Sequence, residues 1–242
     1  MASLPLFFHD APMPLHGKVS LDEDTARHVV QVLRMQEGEG LKLTDGKGIV
    51  ATVSISATAK KKCEVTVDNI VFHEKPAVAL HLAVGFTKNT SRNEWLLEKA
   101  TELGVRSIIP LSTTRTEKER IRHDRWKGIL VSAMLQSLQY HLPELTEPQS
   151  VKSLIDRYKD TPQKLIGHCI EDKERIPLPK VLQAGSDAII LIGPEGDFTA
   201  EEVTLCEQVG FLGISLVSQR LRTETAAMMV CAYFNTINNE TP

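Results

Sequence analysis

Residues 187–232 read DAIILIGPEGDFTAEEVTLCEQVGFLGISLVSQRLRTETAAMMVCA, and two short apolar runs in this stretch each end in a loop. Ala188–Ile192 is five apolar residues without a break, the pattern of a strand buried on both faces of a parallel sheet. Gly193-Pro194-Glu195-Gly196 then turns the chain. Thr199 and Glu202 stand three apart, as a capping box needs, and Val203, Cys206 and Val209 follow at helical spacing until Gly210 stops the helix. Residues 214–217 read as the next strand, 219–224 as a polar loop and 226–234 as a nearly all-apolar helix. Open α/β sheets bind ligands in loops at the carboxyl ends of parallel strands, and two such loops occur here within thirty residues. Each also has a plain reading, GPEG as a tight turn and LRTETA as a surface loop.

The rest of the chain supports this arrangement. At 242 residues it buries roughly 70–75% of its unfolded surface and needs no disulfide or metal to fold. Charged residues make up 24% and hydrophobic ones 42%, ordinary values for a folded protein. No apolar run approaches bilayer length and the start, MASLPLFFHD, lacks the basic and long apolar segments of a leader, so a cytoplasmic protein without membrane contact is expected. Cys63, Cys169, Cys206 and Cys231 form no CxxC pair and read as reduced, mostly buried thiols. A net charge of −3 argues against a protein that coats nucleic acid non-specifically, DNA included. It leaves room for local basic faces, at 60–62 and at 115–127 (RTEKERIRHDRWK), each of which is also explained as solvated surface.

Residues 1–73 read as a small β-rich domain. Short strands at 41–44, 49–56 and 63–71 surround the turn pair Asp45-Gly46, with Val53, Ile55, Val65 and Val67 alternating against polar neighbours. One helix, about 24–35, carries His28, Val29, Val32 and Leu33 on an apolar face, where His28 reads as a core histidine. A sheet curling around one helix suggests a small barrel. From about residue 74 the texture changes to helix and strand in alternation, which implies a parallel sheet with helices on both faces. Ser91 and Glu94 form a second capping-box pair before a helix over 92–103, whose edge carries Arg92 and Lys99. Strands at 107–111 and 164–166 and a helix at 126–139 continue the alternation.

LIGPEGDF followed by LRTETA resembles the signature of the SPOUT methyltransferases, and VLRMQEGEG and KATELGVRSIIPL fit those members that make N3-methyluridine in 16S rRNA. Two departures stand out: Asp197 replaces a second glycine after GPEG, and Val217 and Gln219 replace a glycine and an arginine before Leu221. Leu135 and Tyr140 flank Gln136-Ser137 where an acid and an arginine are usual. The resemblance implies a PUA-like barrel over 1–73 that helps grip RNA. It implies a parallel-sheet domain over 74–242 whose C-terminal helix threads a trefoil knot, with 219–226 as the threaded segment. It also implies a homodimer, S-adenosylmethionine as cofactor, and 16S rRNA in the small ribosomal subunit as partner. The implied cofactor residues are Gly167, His168, Gly193, Pro194, Glu195, Gly196, Leu216, Leu221, Thr225 and Ala226. Arg34, Lys88, Arg92, Lys99 and Arg115 are the implied RNA contacts, and Arg222 and Glu224 the catalytic pair. Two roles stand open for Glu224, accepting the proton or holding Arg222 in place, and their separation of two residues in a tight loop favours holding.

The chemistry agrees with that inventory. No GxGxxG, no GxxxxGK[ST] and no metal-ligand spacing occurs. Methyl transfer from an activated sulfonium needs none of these, because the protein chiefly aligns donor and acceptor. Two rival readings are a SPOUT enzyme acting on ribose 2′-oxygens of rRNA or tRNA, and a ribosome-assembly protein that binds RNA without catalysis.

Overall fold

The computed structural model describes residues 4–116 and 122–239 and divides into two units, 4–75 with 134–142, and 76–133 with 143–239. In the first unit, β1 (Leu6–Phe8), β2 (Lys18–Ser20), β3 (Gly40–Thr44), β4 (Ile49–Ala59) and β5 (Lys62–Phe72) make a mixed sheet of order β1-β3-β4-β5-β2. β1 runs parallel to β3 and the other pairings are antiparallel. The alternation read at Val53, Ile55, Val65 and Val67 places all four in the core of this sheet. Helix α1 (Glu23–Arg27), capped by Asp22, contributes Ala26 to the same core.

The helix expected over 24–35 is shorter and changes form. After Arg27 the chain widens into a π-turn over His28–Val32, closed by the bond from Leu33 N–H to the His28 carbonyl. One extra residue in the turn rotates the following side chains off the core face, so Val29 stays buried while Val32 is 65% and Leu33 43% exposed. His28 is exposed rather than in the core, its ring set edge-on to Phe7.

The second unit is built on an all-parallel sheet. In chain order its elements are β6 (Leu80–Val84), α2 (Thr90–Glu102), β7 (Ser107–Ser112), α3 (His123–Gln136), β8 (Glu144–Leu145), β9 (Gln149–Ser150), α4 (Val151–Arg157), β10 (Gln163–Gly167), β11 (Ile176–Pro177), α5 (Leu178–Val181), β12 (Ala188–Ile192), α6 (Ala200–Gln208), β13 (Leu212–Ser215) and α7 (Thr223–Asn238). The sheet order is β11-β13-β10-β12-β6-β7-β8, with β9 also on β7. β12 lies near its middle and every one of its five residues is buried, as the unbroken apolar run requires. One face of the sheet packs on α4 and α6 through Leu154, Ile155, Val203, Cys206 and Phe198. The other face carries α7, which lies over β6 and β12 against α2.

Register brings the carboxyl ends of the central strands to one edge: Gly167 pairs with Ile192 and Ile214, and Ile192 with Val84. The chain leaves β13 on one side of β10, and its next helix packs on β12 and β6 on the other side. Three local expectations change. The last strand ends at Ser215, because Val217 already belongs to the exposed loop. Helix α2 starts at Thr90 under an Asn89 cap, not under Ser91, since the Asn89 carboxamide accepts the Arg92 N–H. Helix α7 is longer than 226–234 and is buried along one face only, through Thr223, Glu224, Ala227, Val230, Cys231 and Phe234. Burial of this kind pushes the Cys206 and Cys231 thiols up to about 12, while Cys169 is exposed. No helix of the described residues is long and apolar enough to cross a membrane.

Candidate active site

Loops 85–89, 113–116, 168–175, 193–199 and 216–222 all leave the same edge of the sheet, and hydrogen bonds tie 193–199 to 113–116, to 168–175 and to the first turn of α7. The Thr223 hydroxyl donates to the Gly193 carbonyl at 3.0 Å, joining the first turn of α7 to the GPEG loop. Asp197, in the left-handed region at φ 62°, accepts the Phe198 N–H and the Cys169 N–H, each at 2.8 Å. The carboxylate that replaces a glycine therefore latches the loop after β12 to the loop after β10. Arg115 donates to the carbonyls of Gly196 and Phe198, at 2.8 and 3.3 Å. Glu202 closes the capping box with Thr199 and also accepts the Thr114 N–H at 2.8 Å, so one glutamate serves both α6 and the loop after β7.

Gly85 and the GPEG loop meet at close quarters. A Cβ on Gly85 would lie 2.5 Å from the Pro194 nitrogen, a separation only glycine permits. At Gly193 the neighbour is the Phe198 ring, 3.1 Å from where a Cβ would sit, so the glycine expected to admit a ligand also admits its own core. The loop after β6 is shaped by Asn93, which is buried: its Oδ1 accepts the Thr87 N–H at 3.0 Å and its Nδ2 donates to the Thr87 carbonyl at 2.8 Å.

The expected site residues separate by what they touch. Gly193 and Pro194 are buried in their loop, and Glu195 and Gly196 are exposed at its tip. Gly167, Leu216, Leu221 and Ala226 are half-buried around the edge and Thr225 is exposed. His168 is 4% exposed; burial holds its imidazole below the usual range, so it is neutral at pH 7. Its Nδ1 accepts the Ile170 N–H at 3.3 Å, which leaves the proton on Nε2, a buried donor with no partner. That nitrogen would stand 2.8 Å from a Cβ on Gly213, so the ring folds back onto β13.

Among the basic residues, Arg92 Nε lies 3.5 Å from Glu224 Oε1. Lys99, two turns further along α2, is paired with Glu98 and Glu102, which hold its amine above the usual range. Lys88 is exposed in the loop after β6. Arg34 belongs to the first unit, exposed at φ 56° just after the π-turn. The 115–127 run lies in part outside the described residues, at 117–121; within it Arg125 pairs through two nitrogens with Glu94. Arg222 precedes α7, exposed and without an ion pair among the described residues. Glu224 does not hold it, because the first turn of the helix presents the carboxylate to Arg92. Asn93, Thr223 and Asp197 escaped the sequence reading, although the departure from GG at Asp197 was a visible signal. No group of three or more His, Cys, Asp or Glu suited to a metal occurs among the described residues.

A family model described as an RNA methyltransferase domain matches residues 73–235, and a second, an RNA methyltransferase PUA domain, matches 21–68. The chain belongs to the RNA methyltransferase family. Its solved relatives in that family include a probable rRNA-methyltransferase from Porphyromonas gingivalis, 36% identical, with a TM-score of 0.89 over 97% of this chain and 98% of that one. Ribosomal RNA small subunit methyltransferase E of Bacillus subtilis is 29% identical over 223 residues, 86% of each chain. The structure of its counterpart from Neisseria gonorrhoeae, bound to S-adenosyl methionine, is 26% identical, with a TM-score of 0.82 over 98% of both chains. An N-terminal mixed sheet followed by an all-parallel α/β unit is thus the architecture of this RNA methyltransferase as of its relatives.

Proposed function

We propose that this protein transfers a methyl group from S-adenosylmethionine to N3 of a uridine in 16S rRNA of the small ribosomal subunit, in the cytoplasm. The observation that carries the reading is the latched set of loops at the carboxyl edge of the sheet, where Thr223 meets Gly193 and Asp197 meets Cys169. The names of the relatives point the same way. The edge fits an adenosyl donor: half-buried Leu216, Leu221 and Ala226 supply apolar walls, and Gly167 and the GPEG loop expose backbone. Gly167, His168, Gly193, Pro194, Glu195, Gly196, Leu216, Leu221, Thr225 and Ala226 are the residues assigned to hold it. When bound, that donor supplies an activated methyl group.

The chain's own work is then to align the base and favour its anion. Uracil N3 is a poor nucleophile until its proton leaves and charge spreads onto the two carbonyl oxygens. A guanidinium beside them stabilises that charge, and removal of a comparable preorganised donor costs about 10²–10³-fold in rate. Arg222, free of ion pairs among the described residues, is assigned this role. Lys88 and Arg34, both exposed, are assigned to RNA phosphates, whereas the pairing of Arg92, Lys99 and Arg115 within the protein weakens that assignment for them. The path from β13 to α7 is consistent with threading of 219–226 through the preceding loops. The open face of α7, with Met228, Met229 and Tyr233 half-buried and Ala232 exposed, suits a second copy of the chain.

Saturating S-adenosylmethionine, at about 100 times its dissociation constant, should stabilise the fold by roughly 2.7 kcal/mol. A melting temperature that stays flat across the titration would contradict the cofactor assignment. Sedimentation of the same samples at micromolar concentration should show twice 26.9 kDa, and a single 26.9 kDa species would remove the dimer.

A further inference from the structure

Glu224 Oε2 is the one carboxylate oxygen among the described residues that is buried with no hydrogen-bond partner. Such an oxygen is costly to bury, so its persistence calls for a partner that arrives from outside the protein. Two features surround Glu224 and neither engages Oε2. Arg92 Nε stands 3.5 Å from Oε1, and the residue lies in the first turn of α7, where the positive end of the helix favours an anion. The turn itself is fixed, since the hydroxyl of the preceding Thr223 is bonded to the Gly193 carbonyl. Glu224 is therefore held on two sides, with one oxygen to spare, beside the loop assigned to the methyl donor.

We propose that Arg92 is a positioning residue that holds Glu224 by Oε1, so that Oε2 accepts the proton leaving uracil N3. This rests on the N3-uridine reading above. The step balances. The N3–H bond breaks and its proton passes to Oε2; the electron pair left on N3 forms the N–CH3 bond; the S–CH3 bond breaks with its pair going to sulfur. Glu224 ends as a neutral acid and the sulfonium as a neutral thioether. Among the described residues the ion-pair partner of Glu224 is Arg92 of α2; β12 carries no ionisable side chain, and His81 of β6 is turned to the Ser107 hydroxyl at 2.7 Å.

The test uses the full chain, S-adenosylmethionine, and small ribosomal subunits purified from cells lacking the modification. Glu224→Gln should bind S-adenosylmethionine within about threefold of the wild type, which also reports that the variant is folded. Its kcat should fall by about 10²–10⁴-fold, the range for loss of a proton acceptor, and recover as rising pH ionises the imide in solution. Arg92→Ala should show a loss of kcat of the same kind with little change in KM for the subunits, partly restored in Arg92→Lys. Full kcat in Glu224→Gln would overturn the proposal. So would a tenfold loss of cofactor affinity, which would mean that Oε2 meets the cofactor, or a raised KM with intact kcat in Arg92→Ala, which would make Arg92 an RNA contact. A wild-type protein that binds the cofactor but methylates no subunit would instead fail at the control, before any variant is compared, and would remove the parent reading with this one.

Discussion

Helices α2 and α6 each follow the carboxyl end of a central strand, and each begins with a hydroxyl residue and a glutamate three positions later, yet only one closes the box. At α6, Thr199 and Glu202 exchange bonds and the helix starts where the motif says. At α2, Asn89 takes the cap two residues before Ser91, Glu94 turns outward to Arg125, and Arg92 is carried to Glu224. A capping pair is a local offer that a better local acceptor can outbid. Here the outcome decides which charged side chain of α2 reaches the first turn of α7.

The two leading loops also touch each other, at Gly85 and Pro194, and the largest effect is expected there. Gly85→Ala would set a methyl group 2.5 Å from the Pro194 backbone, where nothing flexible can give way. It should cost about 3 kcal/mol, read as a lower denaturant midpoint, and abolish cofactor binding. A variant as stable as the wild type would show that the loops part freely.

Next comes the device that only the α2 side possesses. Asn93→Ala strips the partners from the N–H and carbonyl of Thr87 inside the protein, and each buried orphan costs about 1–3 kcal/mol. Stability should fall by about 2 kcal/mol, with methyl transfer impaired beyond what the stability loss explains. An unchanged midpoint would mean that water takes over both bonds.

The smallest effects bear on the caps themselves. Thr199→Ala should destabilise by about 1 kcal/mol and Asn89→Ala by a similar amount, whereas Ser91→Ala should stay within about 0.5 kcal/mol. If Ser91→Ala proved the costlier of the two changes at α2, the cap would belong where the sequence motif put it.

These cases mark how far sequence reading reached. β12 was legible because AIILI has one sensible home, and the box at Thr199 because nothing upstream competes for the cap. The π-turn at 28–32 was not, since a single inserted residue leaves the apolar spacing almost intact while rotating Val32 and Leu33 into solvent. In the site, the glycine loop and the LRTETA loop stood out as motifs. What each side chain bonds did not, because the ties are long in sequence: Arg92 to Glu224 spans 132 positions, and Arg115 spends its guanidinium on carbonyls more than 80 residues away. Asp197 is the intermediate case. The missing glycine was visible, but its compensation, a carboxylate bonded to the Cys169 N–H from a left-handed residue, needed the fold to be seen.

The measurement closest to the central claim is mass spectrometry of nucleosides from small-subunit rRNA, taken from cells that lack the protein and then incubated with the purified chain and S-adenosylmethionine. N3-methyluridine should be absent before incubation and appear afterwards at one site per subunit. A methyl group found on a ribose 2′-oxygen, or no new methylated nucleoside at all, would contradict the account.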